Sequence, residues 1–168
     1  IETLPFKASN CAYKINWPEK FINKNEGKPL KNISISINNK TQKGEAVITK
    51  FGIEGNAIYG LSPEIQVLLS LKKEAVVYVD FKPTYNLLNL IEKLTSSKDK
   101  TTNTLRKEIN LPTVVIELIK ETLTKEEFLD ITTLAQIIKR FPLKIVDAAP
   151  IDEAISTSGG ISLDAVDS

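Results

Sequence analysis

The fold is decided by residues 32–49, whose sequence is NISISINNKTQKGEAVIT. Isoleucines alternate with polar residues over positions 32–38, and this period of two is typical of a strand with one buried face. Asn38-Asn39 is a turn signal, and positions 46–49 are again extended in composition. The stretch therefore predicts an antiparallel hairpin, on either side of which the rest of the chain can be placed.

The segments that follow this hairpin predict helices placed between strands. Ser62-Pro63-Glu64 is typical of a helix start, because it offers an N-cap, a proline for the first turn and an acid near the positive helix end. Residues 75–81 are rich in β-branched and aromatic side chains and predict a third strand. Residues 84–141 have apolar residues at helical spacing almost throughout, with a capping box at Thr124 and Glu127.

The last part of the chain returns to extended composition, at residues 143–146 and 151–156. The helical block is therefore predicted to be inserted between strands of one sheet or barrel, which gives an α+β fold class. The chain has no methionine and begins at Ile1, without the basic and apolar regions of a signal peptide. We expect it to be a piece of a longer cytoplasmic protein, with a processed protein as the alternative.

Composition and charge exclude several classes of function. Lys and Arg number 22 and Asp and Glu number 21, so the formal net charge is +1 and the electrostatic footprint of most nucleic-acid-binding proteins is missing. The sequence has no histidine, which excludes histidine-based catalysis and histidine-ligated metals. Its one cysteine, Cys11, excludes an intrachain disulfide and a cysteine-rich zinc site. The longest apolar runs are far shorter than the roughly 18 residues of a membrane helix. We expect no catalytic residues, no metal site and no nucleic-acid or membrane partner.

Two glycine-containing segments are the candidate sites, and each has a structural alternative. In residues 51–60, FGIEGNAIYG, the glycines could bring the backbone close to a ligand or could form a tight strand-to-helix connection that needs positive φ. Their spacing matches neither GxGxxG nor the Walker motif, so it predicts no phosphate cradle. In residues 157–160, TSGG, the backbone N–H groups could face an anionic or aromatic ligand or could form a plain hairpin turn.

The remaining candidates have simpler structural explanations. Cys11 has no histidine to activate it, and we expect a small buried residue. Trp17 is expected to anchor the edge of a small core rather than to stack on a ligand. The basic residues within 98–107 are interrupted by acids and are not interleaved with aromatics, which favours a solvated helix end over an RNA-binding patch. The acids within residues 147–153 have the spacing of neither a metal loop nor a catalytic pair.

Three stretches resemble one family of bacterial flavoproteins. Residues 43–55, KGEAVITKFGIEG, are similar to the GEAVITxxGxEG segment of BaiN-type flavoproteins, often described as NAD(FAD)-utilising dehydrogenases or aminoacetone-oxidase-like FAD-binding enzymes. Residues 153–161, EAISTSGGI, resemble that family's EAxxTxGGV segment, which is the most specific of the motifs. Asn10-Cys11, Trp17 and residues 29–32 fit the run that leads into the first strand. The resemblance covers nearly the whole chain, and it departs from the family pattern at Gly55-Asn56-Ala57, where many members have Gly-Pro-Ala.

The resemblance implies the insert domain of an FAD-dependent oxidoreductase, built as a small β-barrel with an embedded helical subdomain. Residues 1–83 would be the first part of the barrel, residues 84–141 the helical subdomain, and residues 142–168 the return strands and the start of re-entry into the FAD domain. In that family a GxGxxG unit binds the FAD phosphates, and this chain lacks it, so the phosphate site would lie outside the chain.

The resemblance also implies two groups of site residues. Thr157, Gly159 and Gly160 would lie near the flavin isoalloxazine, because glycines permit close backbone approach to a flat ring system. Phe51, Gly52 and Tyr59 would line a substrate pocket between the insert and the FAD domain.

The implied activity belongs to the longer parent protein. The parent would use FAD, with NAD(P)H as a further cofactor, and would transfer a hydride between a nicotinamide or a reduced small-molecule substrate and the flavin. The partners of this fragment would be the FAD domain of the same parent chain and the substrate. The fragment by itself would be catalytically inert.

Two other functions stay open. The alternative is a stand-alone β-barrel binding module for RNA or protein, since small barrels also occur in translation factors; near-zero net charge counts against it, and salt-dependent RNA affinity would support it. The second is a scaffold or oligomerisation domain, which would show as a concentration-dependent dimer without any connection to a flavin.

Overall fold

A computed structural model of the chain describes residues 3–161, in which a run of five helices separates two groups of strands. In chain order the elements are β1 (Thr3–Asn10), β2 (Tyr13–Lys14), α1 (Glu19–Asn25), β3 (Pro29–Ile37), β4 (Lys40–Ile48), β5 (Gly52–Glu54), α2 (Asn56–Tyr59), α3 (Ser62–Lys72), β6 (Ala75–Asp80), α4 (Leu87–Ser96), α5 (Thr101–Lys107), α6 (Thr113–Thr122), α7 (Lys125–Leu129), α8 (Ile131–Lys139), β7 (Phe141–Ile145), β8 (Asp147–Ala148) and β9 (Ser156–Ile161).

The predicted hairpin is confirmed and lies at the centre of the main sheet. β3 and β4 pair antiparallel, and the turn at Asn38-Asn39 joins Ile37 to its partner Lys40. The three alternating isoleucines of β3, Ile33, Ile35 and Ile37, are buried in the core, as their period of two requires. The core is therefore organised around the stretch with the clearest periodicity in the sequence.

The main sheet has seven strands in the order β7-β6-β3-β4-β5-β2-β8, and its neighbouring strands are antiparallel. The two edge strands, β7 and β8, are separated in the chain by Val146 alone. The N–H of Val146 donates to the carbonyl oxygen of Lys14 in β2, at 3.0 Å. Both edges of the sheet thus belong to one continuous segment, which requires the sheet to curl strongly.

The helical block lies between two neighbouring strands, as predicted. Helices α4 to α8 connect β6 to β7, and these strands pair from Ala75 with Ile145 to Val79 with Phe141. The predicted capping box at the start of α7 is present, since the Thr124 hydroxyl accepts from the N–H of Glu127 and the Glu127 carboxylate accepts from the N–H of Thr124.

A buried polar contact fixes the helical block against the sheet region. Asn25 of α1 is fully buried, and its amide nitrogen donates to the Phe21 carbonyl oxygen and to the Glu117 carboxylate of α6, each at 3.0 Å. Its amide oxygen accepts from the Lys28 ammonium at 2.9 Å. Because a buried amide costs free energy unless its donors and acceptors are paired, these bonds fix how α6 lies against α1.

Three elements were not predicted, and four local predictions were wrong or shifted. The elements that were not predicted are β1, β2 and α1, which precede the first predicted strand. Residues 151–153, predicted as extended, form a 3-10 turn in which the Glu153 N–H donates to the carbonyl of Pro150. Residues 157–160 belong to β9 and are not a turn, because β1 pairs with them. Helix α3 begins at Ser62 with Leu61 as its N-cap, and Phe141 belongs to β7 rather than to the helical block.

Candidate functional site

The candidate site is built on a two-stranded ribbon formed by β1 and β9, separate from the main sheet. The strands are antiparallel, with Thr3 opposite Ile161 and Ala8 opposite Thr157. The N–H of Ile155 donates to the carbonyl of Asn10 at 2.7 Å and holds the inner end of the ribbon together. The polypeptide therefore enters and leaves the described structure along two adjacent strands.

The two glycines of the ribbon have different surroundings. Both have positive φ, +110° at Gly159 and +111° at Gly160, a conformation that favours glycine. A Cβ on Gly159 would lie 2.9 Å from the carbonyl carbon of Pro5 and closer still to its oxygen, so strand pairing itself requires a glycine there. A Cβ on Gly160 would have the Phe6 ring as its nearest neighbour, at 3.6 Å. Of the two, Gly160 offers the open side on which a flat ligand could approach.

A cavity of about 580 Å³ lies beside the ribbon. Its walls come from β1, from α3, and from the segment around β8; they include Phe6, Lys7, Gln66, Val67, Asp147 and Ile151. The side-chain amide of Gln66 donates to the carbonyl oxygen of Ala8 at 2.5 Å and ties α3 to β1. The cavity is thus an open, largely apolar space at the place where the ribbon joins the rest of the structure.

A buried polar group lies where β2 meets the start of α3. The hydroxyls of Tyr13 and Ser62 are buried, and neither has a hydrogen-bond partner among residues 3–161. Burial raises the pKa of the Tyr13 phenol and also the pKa of the Cys11 thiol. Cys11 is fully buried, so the prediction of a small buried residue is confirmed, and its raised pKa keeps it protonated and unreactive at neutral pH.

Gly52 lies at a point where two strands come unusually close. A Cβ there would lie 2.6 Å from the backbone nitrogen of Ile15 and closer still to the Tyr13 carbonyl oxygen. The Gly52 carbonyl accepts from the Thr49 N–H and from Nε1 of Trp17, each at 2.9 Å. Trp17 thus anchors the edge of the core, as predicted, and Gly52 permits the close approach of β2 to β5.

The neighbouring aromatic candidates are half-buried. Phe51 and Tyr59 both pack against the hydrophobic core while part of each ring stays accessible. Burial raises the pKa of the Tyr59 phenol, and the nearby Glu54 carboxylate adds to the increase. Between Phe51 and Tyr59, Gly55 has φ +122° at the start of α2, which confirms the tight strand-to-helix connection as a structural feature of this segment.

The structure brings together some predicted site residues and separates others. Thr157, Gly159 and Gly160 share one strand, and Thr157 is paired with Ala8, which lines the 580 Å³ cavity. Phe51, Gly52 and Tyr59 form the β5–α2 region and do not line that cavity. The sequence analysis missed the cavity residues, among them Phe6 and Val67, because no local pattern distinguishes an exposed apolar side chain from a buried one.

Metal-binding clusters and membrane-spanning helices are both missing from residues 3–161. In this range, no group of three or more Cys, Asp or Glu side chains is arranged to hold a metal ion. Within the same residues, no helix combines the length and apolar character needed to cross a bilayer.

The sequence matches the family model described as the HI0933-like protein barrel and H2TH domain over residues 7–156. The chain belongs to this family. The resemblance to the insert domain of BaiN-type flavoproteins is thereby confirmed. The mixed α/β structure, with a curled sheet and a helical block, agrees with the family description, although closure of the sheet by pairing of β7 with β8 is not seen within residues 3–161. A search of curated proteins found no match.

Proposed function

We propose that this chain is the insert domain of an FAD-dependent oxidoreductase, where it covers the flavin and shapes the substrate site without being catalytic alone. The observation that carries the proposal is the pairing of Thr3 with Ile161 in the β1–β9 ribbon. A domain inserted within another must be connected to it by two chain segments, and two adjacent antiparallel strands provide such a connection. Family membership over residues 7–156 supports the same role.

The division of the chain follows from this role. We propose that residues 1–83 and 142–168 build a small barrel together with its connection to the FAD domain, and that residues 84–141 form the helical subdomain. Residues 1–2 and 162–168 of these ranges lie outside the described part of the chain. The single segment that supplies both β7 and β8 supports a barrel-like sheet. We also propose that the parent protein is cytoplasmic.

The fit of a flavin to the ribbon rests on Gly160 and Thr157. The Gly160 backbone is open on the side where its Cβ would lie, apart from the Phe6 ring, and the Thr157 side chain is exposed. β1 leaves no space for a side chain at position 159, so Gly159 would act by allowing the two strands of the ribbon to pair. When bound, FAD supplies the redox chemistry by exchanging a hydride with NAD(P)H or a reduced small-molecule substrate.

The contribution of this chain is to position groups and to exclude water around them. Phe51 and Tyr59 are proposed to form the wall of the substrate pocket on the insert side, with Gly52 holding Phe51 in place through its contact with β2. Apolar walls lower the local dielectric constant and strengthen electrostatic interactions inside the pocket. The parent's FAD domain would supply the phosphate-binding part.

The test is to isolate the native protein from its source cells with an antibody against this chain. A product longer than 168 residues with the visible absorbance of a flavin is the expected result. A colourless product, measured after denaturation to detect any released flavin, would contradict the proposal. A colourless product of only these 168 residues would favour the stand-alone binding module, which an RNA titration at several salt concentrations would then examine.

A further inference from the structure

Exposed apolar side chains are concentrated on the ribbon and on the elements next to it. Among the side chains that the structure describes, nine large apolar ones are exposed. Six of them lie on the ribbon, on α3 or on the turn before β9; these are Phe6, Val67, Leu71, Ile151, Ile155 and Ile161. Phe6 is 64% exposed and Val67 56%, and both line the 580 Å³ cavity together with Ile151. Clusters of exposed apolar side chains mark interaction surfaces, whereas single ones are normal.

The ribbon itself needs a covering partner. A two-stranded sheet is only marginally stable in water, and each of its strands has one edge whose N–H and C=O groups are unpaired. Within the described residues, β1 and β9 pair only with each other, and the Gln66 amide attaches β1 to α3. The exposed Phe6 ring, next to Gly160, would remain in water unless another surface packs on it.

The limits of the family match indicate what that surface is. The match begins at Lys7 and ends at Ser156, inside β1 and at the first residue of β9. The outer part of the ribbon, residues 3–6 and 157–161, therefore lies beyond the matched range, although Thr3 and Leu4 still pair with Ile161 and Gly160 after a register shift between Leu4 and Lys7. Under the proposed function, this outer part of the ribbon leads into the rest of the parent polypeptide, which therefore comes next to the exposed Phe6 ring.

We infer that Phe6, Val67 and Ile151, with the cavity between them, form the docking surface for the host domain, the part of the same polypeptide into which the ribbon leads. This inference rests on the proposed insert function and names the surface through which the insert is attached. The host contributes an apolar surface that fills the cavity and continues the ribbon at an unpaired strand edge. Leu87, Leu88 and Leu129, which are exposed on the helical block, lie outside this surface.

Thiol accessibility tests the inference with a matched control. Phe6→Cys and Leu88→Cys are made separately, both in the 168-residue chain and in the longer native protein that contains it. Both positions are exposed, at 64% and 75%, so neither substitution should disturb folding. The only cysteine among the 168 residues, Cys11, is fully buried, and the unsubstituted longer protein gives the rate at any other thiol, which is subtracted. We expect F6C to react with a disulfide reagent at least tenfold more slowly in the longer protein than in the chain alone, and L88C to react equally in both.

Three outcomes would overturn the inference. The first is an equal F6C rate in both proteins, and the second is protection of F6C in the 168-residue chain that grows with its concentration, which would show that a second copy covers the surface. The third is a native protein with no residues beyond these 168, which would also contradict the proposed function. A longer, colourless protein that still protects F6C would contradict the flavin role and leave the docking surface supported.

Discussion

Replacing Gly52 with alanine tests how closely β2 and β5 are packed. The added methyl group would lie 2.6 Å from the Ile15 nitrogen and 2.8 Å from the Tyr13 carbonyl carbon, and both are backbone atoms that cannot rotate away. Overpacking of this kind costs about 1–3 kcal/mol. If the strands separate, the hydrogen bond from Trp17 Nε1 to the Gly52 carbonyl is strained, along with the bond that Thr49 Oγ1 accepts from the Gly52 N–H.

Each of these hydrogen bonds contributes about 0.5–1.5 kcal/mol net. The expected loss in the free energy of unfolding is therefore about 2–6 kcal/mol, measured by urea denaturation of the 168-residue chain with circular dichroism. Gly27→Ala is the matched control, because Gly27 has φ +78° but nothing within 4 Å of the position of a Cβ. Its cost should be limited to backbone strain, about 1 kcal/mol. A G52A variant no less stable than G27A would refute the conclusion that close strand packing requires glycine at this position.

Two further predictions concern the helical block and the ribbon. Hydrogen bonds from Lys24 and Asn25 hold the pKa of Glu117 below its ordinary value, so this carboxylate stabilises the fold at neutral pH and the stabilisation is lost as the pH falls through the lowered pKa. Glu117→Gln should therefore lower the unfolding free energy at pH 7 and flatten its decline as the pH falls below the ordinary pKa of a glutamate, and an unchanged acid dependence in urea titrations would contradict this. In the ribbon, Gly159→Ala should speed hydrogen exchange of the β1 and β9 amides more than Gly160→Ala, because the first methyl meets the β1 backbone and the second meets only the edge of an aromatic ring. Equal exchange rates in the two variants would show that both positions require glycine only because of their positive φ, and that close packing against β1 adds nothing at Gly159.

Features encoded within a few residues were predictable from the sequence. The β3–β4 hairpin follows from a period of two and from a turn at Asn38-Asn39, and the start of α7 follows from the reciprocal hydrogen bonds of Thr124 with Glu127. These signals are local, because side-chain alternation and helix capping depend on neighbours within one turn or one pair of residues. The insertion of the helical block between strands followed in the same way from the order of the segments.

The candidate site depended instead on contacts between distant residues. Asn10 and Ser156, which are 146 positions apart, meet in the ribbon, and this pairing converts a glycine-rich segment that resembles a turn into a strand. No local pattern distinguishes Gly159, where β1 leaves no space, from Gly160, where the space is nearly open.

The sequence by itself determined the α+β class, the central hairpin, the helical insertion and the family, because periodicity, capping and motif spacing are all local properties. Only the tertiary structure decided which apolar side chains stay in water, since exposure depends on which distant segments pack together. Phe6 and Val67 are apolar, yet they lie exposed on the surface beside the ribbon. The docking surface is therefore a property of the fold, because the sequence contains its residues but does not show that they lie together.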